Sequence, residues 1–482
     1  SGNTSSGAVE GNHGGGIYVG GSATLTDVTV SGNTVTAGWG GGIDINGTAT
    51  LTGVTVSGNT ASEGGGINVG GTGAATITGG TVSGNTANAG LAGGIIVNSG
   101  GTATLTGVTV SGNFGGNSAG GIYVGGAVTL TGVTVSGNTA GDGGGIYLHP
   151  IGSLTMRNST VSGNSGGGLF TNGDALIEFS TITNNTSATD GAGLTAAIGT
   201  VDLFASIIAL NNGDECATPD GFINSLGSNL SSDATCELDQ PSDRPSVANP
   251  MLGTLASNGG STQTHALLAG SPAIDAVQLV GQQLCLGTDQ RGISRPQDGD
   301  RNGTLVCDIG AYELIPVTAS ITDVSVIEGN SGTVDAVFTV TLSRASTGTV
   351  SFAFATANGT ATGPSDYQAA TGTVTFAPGD TSETITVRVV GDTVDEPNET
   401  FVVDLSAPVG AAIADGQGTG TILDDEGPIV TPAPAAGQLP DTGTTGADRL
   451  DGSMPLGLAI AGLVGAALAF LAVRSTMSRT TR

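Results

Sequence analysis

The sequence contains no lysine. Its 482 residues carry 40 acids against 11 arginines, for a net charge of −29, and Arg157 is the only basic residue before Arg244. That deficit excludes nucleic-acid binding through phosphates, which needs clustered cations. Carboxylates in such excess suggest divalent cations as partners, and the acidic, threonine- and glycine-rich surface suits a secreted protein. Charged residues are only 11% of the total, so threonine, serine and asparagine must face much of the solvent. The four cysteines lack any CxxC spacing, and His13, His149 and His265 lie far from them in sequence, which argues against zinc. They fall as two local pairs, Cys216 with Cys236 and Cys285 with Cys307, and read as two disulfides made in an oxidising compartment. No methionine or apolar leader precedes the opening SGNT, which is the end of a repeat, so a signal peptide and further coils are expected upstream.

What is abundant is one phrase. LTGVTVSGNT at Leu51 to Thr60 has near-copies beginning at Leu25, Leu105 and Leu130 and a diverged form at Ile77. Each follows a glycine-rich entry, and Ile17, Ile43, Ile67, Ile95, Ile122, Ile146, Leu169 and Leu194 are the first apolar residues after those glycines. A period of roughly 25 residues means a solenoid, whose units bury their apolar faces only by stacking. Within a unit the apolar residues alternate: Ile17 and Val19, Ala23 and Leu25, Val28 and Val30. Period two means strand, and three short strands broken at glycines, or at Asp27, make a three-sided coil. Asn33, Asn59, Asn85, Asn113, Asn138 and Asn164 recur at one place in the coil, where identical amides can bond from coil to coil. Residues 1–212 thus resemble the right-handed parallel β-helix superfamily, with its pectate-lyase-like and polymorphic outer-membrane-protein solenoids.

Enzymes on that fold need paired carboxylates, or a base beside a calcium-binding acidic cluster, on one outer face. The residues available for a polysaccharide lyase or hydrolase are few, chiefly Glu63, Asp142 and Arg157. Tyr18, Tyr123 and Tyr147 share one coil position and form either an outward ladder or a sugar-stacking stripe.

Residues 213–314 break the period. Cys216 to Cys236 reads as a disulfide-closed loop capping the open strand edges of the last coil. GSPAIDA at Gly270, DQRGISRP at Asp289 and CDIGAYE at Cys307 together resemble the choice-of-anchor Q module that follows β-helices in bacterial surface proteins. Arg291 and Arg295, set among Asp275, Asp289, Asp308 and Glu313, are expected to form buried ion pairs. Asp298, Asp300 and Asn302 match the first half of a calcium loop, but the twelfth position is Ile309, which leaves an acidic turn as the default.

Residues 318–426 contain short alternating strands separated by Gly, Asn, Asp and Pro, the pattern of an antiparallel sandwich. Glu328, Asp366, Asp392, Glu396, Asp424 and Asp425 sit just outside strand ends, where carboxylates repel one another until a divalent cation arrives. The phrases SVIEGNSG, NGTATGPSDY, DTVDEPNETF and GTGTILDDE resemble the Calx-beta domain. That resemblance implies Ca²⁺ as the cofactor, with these six acids as ligands and weak affinity, roughly 10⁻⁴ to 10⁻³ M. A further acid often stands in that family where this chain has Gly391.

Residues 427–453 form a proline-rich spacer holding the LPDTG motif: Leu439, Pro440, Asp441, Thr442 and Gly443. The uncharged run 455–473 is long enough for a transmembrane helix, and the basic tail 474–482 places the C-terminus in the cytoplasm. In this order the elements resemble a sortase sorting signal, which implies cleavage between Thr442 and Gly443 and linkage to peptidoglycan; a permanent membrane anchor is the alternative.

The expected fold is therefore all-β: a right-handed parallel β-helix, then a β-sandwich, then a C-terminal transmembrane helix. The expected function is a non-catalytic, calcium-binding protein anchored at the extracellular face of wall or plasma membrane. Its rod would serve adhesion to neighbouring cells or surface glycans, with a surface polysaccharide enzyme or a carbohydrate-binding protein as alternatives.

Overall fold

The computed structural model describes residues 2–5, 14–188, 191–278, 285–346 and 348–427. The LPDTG motif, the apolar run and the basic tail lie outside them. Among the described residues no helix is long and apolar enough to cross a membrane.

Glycine corners and β-branched alternation produce the expected coil. Three parallel nine-stranded sheets run the length of the solenoid, beginning with Ile17–Val19, Ser22–Thr26 and Thr29–Ser31. The register is exact from coil to coil: Leu25 pairs with Leu51, Leu51 with Ile77, and Ile77 with Leu105. Inward Ile, Leu and Val fill a continuous core, including Ile43, Leu51 and Val56. A short fourth strand, such as Thr60–Ala61, forms an extra five-stranded sheet along the early coils. Asp27 takes φ 53° at its corner, as a turn residue does.

The asparagine ladder forms and extends further than the repeats suggested. From Asn33 through Asn185, each Nδ2 donates to the Oδ1 of the next asparagine at 2.8 to 3.0 Å, ending at Asn211. Each backbone N–H donates to that same oxygen, as Asn113 does to Asn138 at 2.9 Å. The second Nδ2 proton goes to a carbonyl, such as Val82 O for Asn113. The amide-to-amide donors all point toward the C-terminal coils, and the ladder ends where Asn211 Nδ2 meets Glu215 Oε2 at 2.5 Å. Glycine is required beside it: a Cβ on Gly66 would lie 2.5 Å from Gly94 O and 3.0 Å from Asn85 Nδ2.

The solenoid runs past residue 212. Cys216–Ala217, Phe222–Gly227 and Leu230–Ser231 complete a ninth coil, and the disulfide Cys216–Cys236 lies in the same apolar core. The following segment does more than cover the end. It folds back along the side of the third sheet, where Thr134 Oγ1 donates to Gln263 O at 2.6 Å and Thr160 Oγ1 to Gln290 Oε1 at 2.6 Å. His265 Nε2 meets Ser162 Oγ at 2.8 Å. Phe179, Phe204 and Ile207 pack against Leu267, Ile309 and Tyr312 in a separate cluster. The expected ion pairs are present and buried, Arg291 to Asp289 at 2.7 Å and Arg295 to Glu313 at 3.1 Å. The second disulfide joins Cys285 to Cys307.

The sandwich has a four-stranded and a five-stranded sheet around Phe338, Phe352, Tyr367, Phe376 and Phe401. It is not wholly antiparallel. Thr318–Ile321 pairs parallel with Ala412–Asp415, and Val324–Ile327 parallel with Gln417–Leu423, because the entering segment divides between the two sheets.

Candidate metal centre

The parallel pairing of Val324–Ile327 with Gln417–Leu423 sets Ile327 opposite Leu423. The residues that follow, Glu328 on one side and Asp424 to Glu426 on the other, therefore leave the sheet together. Carboxylate oxygens of Glu328, Asp424 and Glu426 lie within 4.8 Å of one another. Glu328 is only 5% exposed. Burial, and after it the charges of Asp392, Glu426, Asp424 and Glu396, push its carboxyl up to about 7. Glu426 accepts from Asn330 Nδ2 at 2.6 Å through Oε1, while its Oε2 is buried without a hydrogen-bond partner.

A second group brings Asp366, Glu396 and Glu399 within the same distance. Burial raises Glu399, with Asp366 adding to it, and raises Glu396, with Asp392, Asp366 and Asp424 adding. Burial also acts on Asp366, but donors from Thr362, Ser365 and Glu399 outweigh it and hold that carboxyl below its ordinary range. The two groups are joined where the Glu396 backbone N–H donates to Asp424 Oδ1 at 3.1 Å.

Of the six acids expected as ligands, Glu328 with Asp424 and Asp366 with Glu396 are brought together. Asp392 sits close enough to perturb both groups, and its Oδ1 accepts from Val394 N at 2.7 Å. Asp425 faces another way: it accepts from Gly329 N at 2.9 Å and Asn330 Nδ2 at 3.2 Å, holding the Glu328 loop. Glu399 and Glu426 complete the groups and were not anticipated, the first because it begins a strand and the second because it follows the acidic pair. Among the described residues no arginine neutralises either group: Arg388 faces Asp335 at 3.9 Å and Arg344 reaches Ile315 O. At Gly391 a Cβ would fall 2.0 Å from Gly329 O, so the further acid of the resembling family does not fit this backbone.

The half-matched calcium loop gains an unexpected member. Asp275 joins Asp298 and Asp300, and its Oδ2 accepts from Asp300 N at 2.6 Å. Asn302 donates its N–H and Nδ2 to Asp300, as in an ordinary acidic turn.

The rod's sparse polar residues do not converge. Glu63 and Asp142 occupy equivalent corners three coils apart, about 14 Å at the usual strand spacing. Arg157 lies on another sheet and pairs with Glu178 at 2.5 Å. Tyr18, Tyr123 and Tyr147 share a ladder position, but Asp44, Asn68 and Ile96 separate Tyr18 from the others. The continuous stack is Tyr123, Tyr147 and Phe170, with ring centroids 5.5 and 5.3 Å apart.

Residues 65–217 match the right handed beta helix region family, and residues 316–426 match the Calx-beta domain family. Among solved structures, the apo-form Calx CBD1 domain is 25% identical, with 23% of this chain and 99% of that chain covered, at a TM-score of 0.21. The calcium binding domain CBD12 of CALX1.1 is 26% identical, covering 22% of this chain and 46% of that one, at a TM-score of 0.20. The chain thus consists, over its described length, of a right-handed β-helix, a disulfide-bearing segment laid against it, and a Calx-beta domain.

Proposed function

We propose that this is a non-catalytic surface protein whose β-helical rod is presented outward for adhesion, with Ca²⁺ bound in the Calx-beta domain beneath it. The observation that carries the calcium reading is the pair of unneutralised carboxylate groups, Glu328 with Asp424 and Glu426, and Asp366 with Glu396 and Glu399. The donor set fits: hard oxygens only, one acid almost fully buried, and one buried carboxylate oxygen without a partner. Bound there, Ca²⁺ would supply charge neutralisation. The residues themselves tie three loops to one end of the sandwich, so relief of their repulsion stiffens that end.

The non-catalytic reading is supported by the roughly 14 Å between Glu63 and Asp142, wider than the 5 to 9.5 Å of paired glycosidase carboxylates. Attachment through LPDTG by a sortase to peptidoglycan, or by a retained membrane helix, rests on the sequence. It places the rod on the extracellular face.

Thermal unfolding of the intact chain in calcium and in chelator tests the metal reading. At ten times a dissociation constant, one bound ion adds about 1.4 kcal/mol, several degrees for a domain of this size. Glu328→Gln should raise the sandwich transition in chelator, by removing repulsion, and reduce its response to calcium to what the Asp366, Glu396 and Glu399 group supplies. Superimposable wild-type traces in millimolar calcium and chelator would remove calcium from the reading and leave the anchored rod intact.

A further inference from the structure

A cavity of about 190 Å³ lies where the segment folded against the rod meets the sandwich. Its volume is far above the roughly 10–15 Å³ that admits one water. Leu268, Tyr312 and Pro316 contribute to its walls, and two guanidinium groups line it, Arg301 from one side and Arg344 from the other. No lining residue is acidic. In a chain with 40 acids and 11 arginines, that selection is unusual. Neighbouring Arg291 and Arg295 each pair with a carboxylate. Arg301 and Arg344 instead donate to backbone carbonyls, Arg301 Nη2 to Gly410 O at 2.9 Å and Arg344 Nη2 to Ile315 O.

Those two bonds use a small part of the donors available, since each guanidinium carries five N–H groups in a planar fork. Arg344 Nε is buried without any partner. A buried charged donor left unpaired is costly, and an acceptor with two or more oxygens relieves Arg344 while taking further bonds from the solvent-exposed Arg301. The two cations are near enough to oppose each other: burial lowers the pKa of Arg301, Asp298 raises it, and Arg344 by a smaller amount lowers it again. The apolar clusters on the two sides of the junction are separate, so no shared core competes for the space.

We propose that this cavity binds a small oxyanion, clamped between Arg301 and Arg344, and that its occupant locks the sandwich to the segment beside the rod. The recognised chemistry is a carboxylate or phosphate group flanked by modest apolar surface. It is independent of calcium, which the opposite charge attracts elsewhere.

Calorimetric titration of the intact chain with glucuronate, inorganic phosphate and glucose tests this. Saturable binding of an anion and none of glucose is expected. Tighter binding of glucuronate identifies an organic acid as the occupant; equal or tighter binding of phosphate identifies the free ion. Arg301→Gln should weaken the favoured anion about tenfold or more. Ala269→Trp, at the exposed rim, should block entry while leaving both guanidiniums in place, so it decides the matter even where an arginine variant loosens the junction. Absence of saturable anion binding at millimolar concentration, or binding unchanged in both Arg301→Gln and Ala269→Trp, overturns the proposal.

Discussion

Asn113→Ala is the sharpest probe of what holds the rod together. Asn113 is 1% exposed. Its Oδ1 accepts from Asn85 N and Asn85 Nδ2, both at 2.9 Å, and its Nδ2 donates to Val82 O at 3.0 Å and Asn138 Oδ1 at 2.9 Å. Alanine orphans two buried donors on Asn85. At about 1–3 kcal/mol for each unmet buried group, the loss is about 2–6 kcal/mol. A water entering the polar void would restore some partners and bring the loss toward the lower end. Because within the ladder each coil bonds only to its neighbours, the damage should concentrate at the boundaries of that coil. Urea unfolding of the intact chain, with hydrogen exchange resolved by coil, reads both quantities. Thr104→Ala, on the exposed face of the second sheet, is the control and should stay within about 0.5 kcal/mol of the parent. A loss under about 1 kcal/mol for Asn113→Ala, or protection falling equally in every coil, would refute the ladder's energetic role.

Two further outcomes follow from buried carboxyls. Burial, with Glu313 beside it, lifts Asp308 to about 8, against about 3.9 in an unfolded chain. Between those values the folded protein keeps a proton that the unfolded chain has released, so the contribution of this group to stability is fully present below about pH 4 and is lost toward pH 8, by at most about 1.4 kcal/mol per unit. Asp308→Asn should flatten that slope in denaturant titrations at several pH values, and identical slopes would refute the assignment. Glu215→Gln should destabilise the last coils although it removes a buried charge, since Asn211 and Ser232 both donate to that carboxylate. Urea unfolding with unchanged or increased stability would show that desolvation outweighs the hydrogen bonds there.

The sequence made the repeating parts legible because each device is local and periodic. Glycine at a close coil contact, valine facing inward and asparagine at a corner act identically in every unit. The ninth coil escaped because CATPD and FINSLGSNL keep the shape without the glycine entry or the SGN signal. The lateral packing of residues 250–314 escaped for another reason: Thr134 and Thr160, which bond to it, look no different from Thr109 in an earlier coil. Strand-end acids of the sandwich were legible as a class. Which of them meet was not, because that depends on Val324–Ile327 running parallel to the last strand, a pairing set by tertiary structure. Asp425 turned to the loop of Gly329 and Asn330, while Glu399, at the start of a strand, and Glu426, after the acidic pair, came into the groups.

The one-way order of the asparagine amides makes the rod a ruler with a fixed end. Any unit that receives donors on one side and offers them on the other can be inserted or removed without altering the chemistry of its neighbours. Only the carboxylate of Glu215 closes the series. Reach is therefore set by counting units, at about 4.8 Å for each, so duplication or loss of a repeat changes how far the rod extends while leaving its cross-section and its base untouched.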